Sequence, residues 1–385
     1  MKKLLGILCL LLIIVACAPK PVEKAPEVPK VEEKVAPEVK APVEVIFGWL
    51  GALTGSAASI GVPVKDAVAL AVDEINANNL IPGKTLKVIY EDDACDPKKS
   101  ATATQKLVGV DKVTAIVGGL CSGAVLADAP IAEENKVLMM SYSATNPKIK
   151  DAGNYIFRNV PSDNGQGVQA AGLVKALGAK KAAIIYGQND WATGLMNVFT
   201  AEAAKLNLEI VATESYAPDA TDFRTQLAKI KAAKTEALYM LSYPAETVLV
   251  LKQVSQAGLK IPIVGADGSK DDAVISGAGK AAEGLILTQP GVPKSPELEK
   301  FAAAFKAKYG KEFSVYTPEA YDVVYVFAKA CAATDCTSTA MKDYLYTMGP
   351  YAGASGTYEF DKDGEVSKQY DYFQVKNGTW VPYTQ

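Results

Sequence analysis

Residues 113–147 read VTAIVGGLCSGAVLADAPIAEENKVLMMSYSATNP, and this stretch decides the fold. Val113–Val117 is an uncharged, β-branched run that ends in Gly118-Gly119. Ser122 follows, and Gly123–Glu134 carries its apolar residues at helical spacing. Val137–Met140 is a second apolar run, and Ser141-Tyr142-Ser143-Ala144-Thr145-Asn146-Pro147 comes after it. An apolar strand, a helix and another apolar strand make a βαβ unit, whose strands lie parallel and buried on both faces.

The alternation extends in both directions. Upstream, 43–49 reads as a strand, 51–61 as a small-residue loop, and Val64, Val68, Val72 and Ile75 as one face of a helix. A strand at 85–90 and a helix at 98–110 precede the opening stretch. Downstream, strands are expected at 182–186, 208–212, 237–241, 261–264 and 285–287. Helices are expected at 165–177, 193–206, 222–233, 245–257, 296–309 and 318–333. Asp363-Gly364 and Asn377-Gly378 are tight-turn dipeptides suited to hairpins. Repeated βαβ units predict an α/β protein, and so many strands predict two doubly wound parallel-sheet lobes. Ligands bind at the carboxyl ends of such strands, so the cleft between the lobes is the expected site.

Composition removes several chemistries. Of the 385 residues none is histidine, which excludes Ser-His-Asp and Cys-His nucleophile pairs and His-ligated metals. The net charge is −3 and no basic block is present, so nucleic acid is not an expected partner. Gly83-Lys84-Thr85 looks like the end of a phosphate-binding loop, but Asn78 stands where its first glycine belongs. Glu91-Asp92-Asp93 reads as a loop rim. No enzyme activity, cofactor or metal is expected.

The two loops after 117 and 140 place small hydroxyl residues just past strands. N-capping and turn formation would explain either alone. Together, in successive units of one lobe, Ser122 and Ser143–Thr145 predict hydroxyl and backbone donors for a ligand carboxylate. The second lobe offers Trp191 and Tyr243 after two strands, suited to packing on an apolar group. Asp267, after another strand, is suited to pairing with an ammonium group.

Lys2-Lys3, the apolar run Leu4–Val15 and Ile14-Val15-Ala16-Cys17 resemble a prokaryotic lipoprotein signal (1–16), with cleavage before a lipidated Cys17. An uncleaved anchor and an ordinary secretory peptide are the alternatives. Residues 17–42 hold Cys17 and a Pro/Glu/Lys-rich tether with a reach of roughly 75 Å at polyproline spacing. Beyond the signal and Cys17 remain Cys95, Cys121, Cys331 and Cys336, an even set that suggests two disulfides in an oxidising compartment. Cys331 and Cys336 form a short local pair. Four cysteines allow three connectivities, and a zinc site is a further alternative.

Tyr90-Glu-Asp-Asp-Ala-Cys95-Asp-Pro97 followed by Gly119-Leu-Cys121-Ser122, with Gly51-Ala-Leu-Thr-Gly55 and Ala282-Glu-Gly-Leu285, resembles the branched-chain amino acid binding proteins of ABC importers. The resemblance covers residues 43–385. It implies the type I periplasmic binding fold, with a three-strand hinge near 160–163, 287–291 and 350–356. The lobes would then be 43–161 plus 290–352, and 162–289 plus 353–385. It also implies a Cys95–Cys121 disulfide. By the same resemblance Ser122 binds the ligand carboxylate, and Ser143, Ala144 and Thr145 give donors to the amino acid. Tyr243 is an aromatic wall, and Asp267 stands where the family has an ammonium-binding glutamate. Trp191 and Ile60 stand where it has pocket tyrosines. A lipid-anchored, extracytoplasmic monomer is implied, capturing a small amino acid-like ligand by hinge closure. It would deliver that ligand to a permease with ATPase subunits, and would touch the membrane through the lipid alone. A receptor for an amide, urea, or an aromatic or short-chain carboxylate is the alternative in the same superfamily.

Overall fold

The structure is a computed structural model, and residues 17, 18, 20, 21 and 42–384 are described. The expected signal and most of the tether lie outside the described residues. Cys17 is exposed and unpaired.

The strands are β1 Val43–Gly51, β2 Lys84–Asp92, β3 Ala115–Val117, β4 Leu138–Ser141, β5 Ile156–Arg158, β6 Lys181–Gly187, β7 Glu209–Tyr216, β8 Ala237–Leu241, β9 Ile263–Gly265, β10 Ile286–Pro290, β11 Tyr351–Gly353, β12 Gly356–Tyr358, β13 Tyr370–Lys376 and β14 Thr379–Pro382. The helices are α1 Ala58–Ala77, α2 Pro97–Gly109, α3 Ser122–Glu134, α4 Asp163–Ala176, α5 Asp190–Lys205, α6 Arg224–Ala232, α7 Pro244–Gln256, α8 Asp272–Ala278, α9 Pro296–Tyr309, α10 Thr317–Ala333 and α11 Ser338–Leu345. The first sheet runs β2-β1-β3-β4-β5, parallel throughout. The second runs β14-β13-β10-β9-β8-β6-β7, parallel from β10 to β7 and closed at one edge by the antiparallel hairpin β13–β14. In each sheet the order reverses beside its first strand, between β1 and β3 and between β6 and β8. Those reversals open the crevices in which ligands bind.

Both faces of the first sheet are covered. Phe47 and Trp49 join α1 and α10 in one core, where Phe47 meets Phe327 edge-on at 5.6 Å. Leu50 and Ile116 join α2 and α3 in the other. Each such buried side chain contributes ~1.5–3 kcal/mol. Cys95 and Cys121 are bonded with Cα atoms 5.4 Å apart, which ties the end of β2 to the start of α3; Cys331 and Cys336 form the second disulfide.

Three features depart from the expectations. β5 is three residues long and gave no periodic signal. Asp363-Gly364 forms a turn braced by Asp361, whose Oδ1 accepts from Asp363 N at 2.8 Å and Glu365 N at 3.0 Å. The strands beside that turn do not pair with each other, because β12 pairs back to β11. The third crossing also falls later than 350–356. Ala354, Tyr358, Phe360 and Val366 are buried in the first lobe's core, where Phe360 meets Phe157 edge-on at 5.2 Å. Aromatic side chains need that core, so the chain leaves it only ahead of β13.

Gly61 in α1 lies against the segment after β1. A Cβ there would sit 1.8 Å from the Ala52 carbonyl oxygen, whereas one at Gly172 in α4 would touch nothing within 4 Å. Gly61→Ala should therefore destabilise the protein by about 1–3 kcal/mol, since backbone has to move. Gly172→Ala should stabilise it by about 0.5–1 kcal/mol through the unfolded chain. Urea denaturation checks both, and equal effects at the two positions would contradict this packing.

Candidate functional site

The loops after β3 and β4 are laced together by their hydroxyls. Ser141 Oγ donates to Gly119 O at 2.8 Å and accepts from Ala144 N at 2.8 Å. Ser143 Oγ donates to Leu120 O at 2.5 Å. Ser122 Oγ, at the start of α3, accepts from Asn146 N at 3.2 Å. The guanidinium of Arg158, wholly buried at the end of β5, donates to Asn146 O at 3.0 Å and Ala144 O at 3.4 Å and pairs with Glu365. These bonds hold Ser122 and Thr145 side by side. Among the described residues the Thr145 N–H has no acceptor, and neither does its hydroxyl.

Asp163, the first residue of α4, and Asp267, in the turn after β9, are both buried and interact electrostatically. Burial pushes the Asp163 carboxyl well above the usual carboxylate range, and Asp267 pushes it further. The Thr145 hydroxyl and Arg158 oppose that shift without cancelling it. Asp267 is also raised by burial, against a hydrogen bond that Tyr316 donates to its Oδ2. The Gln166 amide beside it is spent on Thr288, at 2.9 Å to Oγ1 and 3.1 Å to O. Both Asp163 oxygens, Asp267 Oδ1 and Gln166 Oε1 are buried acceptors without a hydrogen-bond partner among the described residues.

Aromatic rings cover this acidic centre. Trp191 stacks on Tyr243 with centroids 5.1 Å apart and planes 20° off parallel. The indole also lies over Gly268, where a Cβ would come within 2.6 Å of the ring. Tyr243 packs against the cores of both lobes. The lobes are closed on each other: Asn146 Nδ2 donates to Asp190 O at 2.6 Å, and Tyr316 of the first lobe holds Asp267 of the second. A cavity of about 310 Å³ flanks the junction, lined by Ser56, Cys121, Asn189, Asp190, Tyr243 and Glu246 among others.

Three expected site residues do other work, the first being Ala144, whose N–H is spent on Ser141 Oγ at 2.8 Å. The Ser143 hydroxyl is committed to Leu120 O, so it braces the loop instead of facing a ligand. Ile60 is buried in the first lobe's core with Ala52, Ala57 and Val64. Conversely, Asp163, Gln166, Arg158 and Tyr316 escaped the sequence reading. The run Arg158-Asn159-Val160-Pro161-Ser162-Asp163 is a cluster of polar residues directly after an apolar strand, and that was the available signal.

A family model for periplasmic binding proteins matches residues 44–379. The chain belongs to the periplasmic binding protein family. Leu/Ile/Val-binding protein homolog 2 of Brucella abortus is 30% identical over 87% of this chain and 91% of its own length. Among solved structures, the leucine binding protein of Thermotoga maritima superposes with a TM-score of 0.83 at 27% identity, covering 88% of this chain and 98% of that one. The branched-chain amino acid transporter substrate binding protein of Streptococcus pneumoniae, in complex with isoleucine, gives 0.81 at 29% identity, covering 88% and 100%.

In the closed form the raised carboxyls hold protons that the unfolded chain releases in the ordinary carboxylate range. Their contribution to stability is present below that range and lost as pH rises through the folded values. Asp128, raised by burial to about 7, acts in the same sense. The melting temperature should fall as pH rises from the ordinary carboxylate range to about 7, and Asp128→Asn should flatten the slope. Calorimetry across that range checks this; a slope unchanged in the variant contradicts it.

Proposed function

We propose that this binding protein is the extracytoplasmic receptor of an ABC importer and captures a branched-chain amino acid by closing its two lobes around it. One observation carries the reading: at the closed junction four buried acceptor oxygens, three of them carboxylate, have no partner. An ammonium group has three donors and a positive charge, and it fits that set. Opposite it, the Ser122 hydroxyl, the Thr145 N–H and the N-terminus of α3 suit a carboxylate. Trp191 and Tyr243 supply the apolar cover that a leucine or isoleucine side chain needs. The named ligands of the relatives agree with this.

Closure is favoured by contacts that only the closed form completes. Asp267 on the second lobe and Ser122 and Thr145 on the first engage one ligand together only when the lobes meet. Ligand binding drives protons off the acid pair, because the ammonium charge favours the ionised carboxylates. A lipid on Cys17 would tether the receptor near its permease and raise its local concentration there. An acid without an amine would leave Asp163 and Asp267 unpaired in a closed interface, which disfavours the alternative ligands.

Titration calorimetry with leucine, isoleucine and valine tests the reading. Binding should release protons, seen as a heat that depends on the buffer. Asp267→Asn should weaken it about tenfold to a hundredfold, the loss of one charge-assisted hydrogen bond. Failure of all three amino acids, or tighter binding of 4-methylpentanoate than of leucine, would overturn the proposal.

A further inference from the structure

A second cavity, of about 660 Å³, lies on the hinge side of the junction and is walled by both lobes. Its aromatic walls are Phe313 and Tyr316 from the first lobe and Phe373 and Trp380 from the second. Tyr316 separates it from the acidic centre, because the Tyr316 hydroxyl is spent on Asp267. Three of its lining residues carry buried oxygens without a partner: Gln289 Oε1, Ser314 Oγ and Glu319 Oε2. Glu319 is 1% exposed and Gln289 5% exposed, so bulk water does not satisfy them.

The charge around this cavity is acidic. Lys311 is taken by Asp66 at 2.9 Å, and Glu312 by Lys306. That leaves Asp271, Asp272, Glu319 and Asp371 against Lys270, with the buried Lys368 ammonium also acting on Glu319. The Lys270 ammonium sits 4.6 Å from the centroid of the Phe373 ring, so the aromatic wall already accepts a cation. Acceptors without donors, aromatic faces and excess carboxylates together select a positively charged group on an apolar body.

We propose that this hinge-side cavity is a second binding site, distinct from the amino acid site, for a small organic amine: an ammonium group carried on a hydrocarbon or aromatic body. Glu319 and Gln289 receive the ammonium, and Phe313 and Trp380 pack on the body. Because both lobes line the cavity, an occupant contacts the closed arrangement from behind the hinge and favours it. Amine and amino acid therefore raise each other's affinity by the same factor.

The test titrates the full chain with 2-phenylethylamine, and with 3-phenylpropionate as its anionic counterpart, by calorimetry and tryptophan fluorescence. The amine is expected to saturate and the acid not to bind. Amine binding should survive in Asp267→Asn, which weakens the amino acid site, and fall at least about tenfold in Glu319→Gln. Phe313→Ala, at a half-buried position, should weaken it as well and serves if Glu319→Gln does not fold. Loss in Asp267→Asn with retention in Glu319→Gln and Phe313→Ala would place the amine in the amino acid site and overturn the proposal. Absence of saturation at millimolar amine would show a cavity filled by water alone, and would overturn it too.

Discussion

Two carboxyl groups buried side by side cannot both ionise without a cation between them. Asp163 and Asp267 stand in that relation where the lobes meet, and much of the surrounding architecture follows from it. Asp163 enters from the first crossing between the lobes, and Asp267 from the carboxyl end of β9. Tyr316 reaches across from the first lobe to hold one oxygen of Asp267. In the closed form the pair keeps its protons unless a positive charge sits between the two carboxyls, and on the proposed reading that charge is the ligand's ammonium group.

The sheets put this chemistry in place through their strand order. In each lobe the chain reverses direction beside its first strand, and the loops on either side of the reversal splay apart. In the first lobe those loops lead to α1 and α3, the latter with Ser122 at its start. In the second they lead to α5 and α7, which carry Trp191 and Tyr243 to the junction. The hydroxyl loops brace each other, since Ser141 and Ser143 consume the nearby backbone groups. What stays unsatisfied is therefore specific, namely the Thr145 N–H and hydroxyl on one side and the carboxylates on the other.

The βαβ alternation was legible because burial on both faces forces apolar strands, and that signal is local. The hydroxyl loops and Asp267 were legible for the same reason, lying within a few residues of a strand end. β5 was not, because three residues carry no period. Asp163 and Tyr316 were not, because each looks like an ordinary helix-start residue. They become site residues only through partners 104 and 49 positions from Asp163 and Tyr316 in the chain, both of them Asp267. The third crossing was misplaced for a related reason. Tyr358 and Phe360 read as hairpin residues in sequence, whereas their burial against the first core is a tertiary fact.

Arg158 decides whether the acid pair is available at all. It is wholly buried and near enough to Asp163 to lower its carboxyl somewhat. A direct ion pair between them would satisfy Asp163 internally and leave an incoming ammonium with little to gain. The guanidinium instead points its donors at Ala144 O, Asn146 O and Glu365. Glu365 belongs to the turn just ahead of the third crossing, and Arg158 to the strand just ahead of the first. The same cation thus braces the hydroxyl loop, joins two of the three connections and neutralises Glu365 rather than Asp163. That division of labour leaves the acid pair at the junction without a permanent counter-ion, and it links the shape of the hydroxyl loop to the geometry of the hinge.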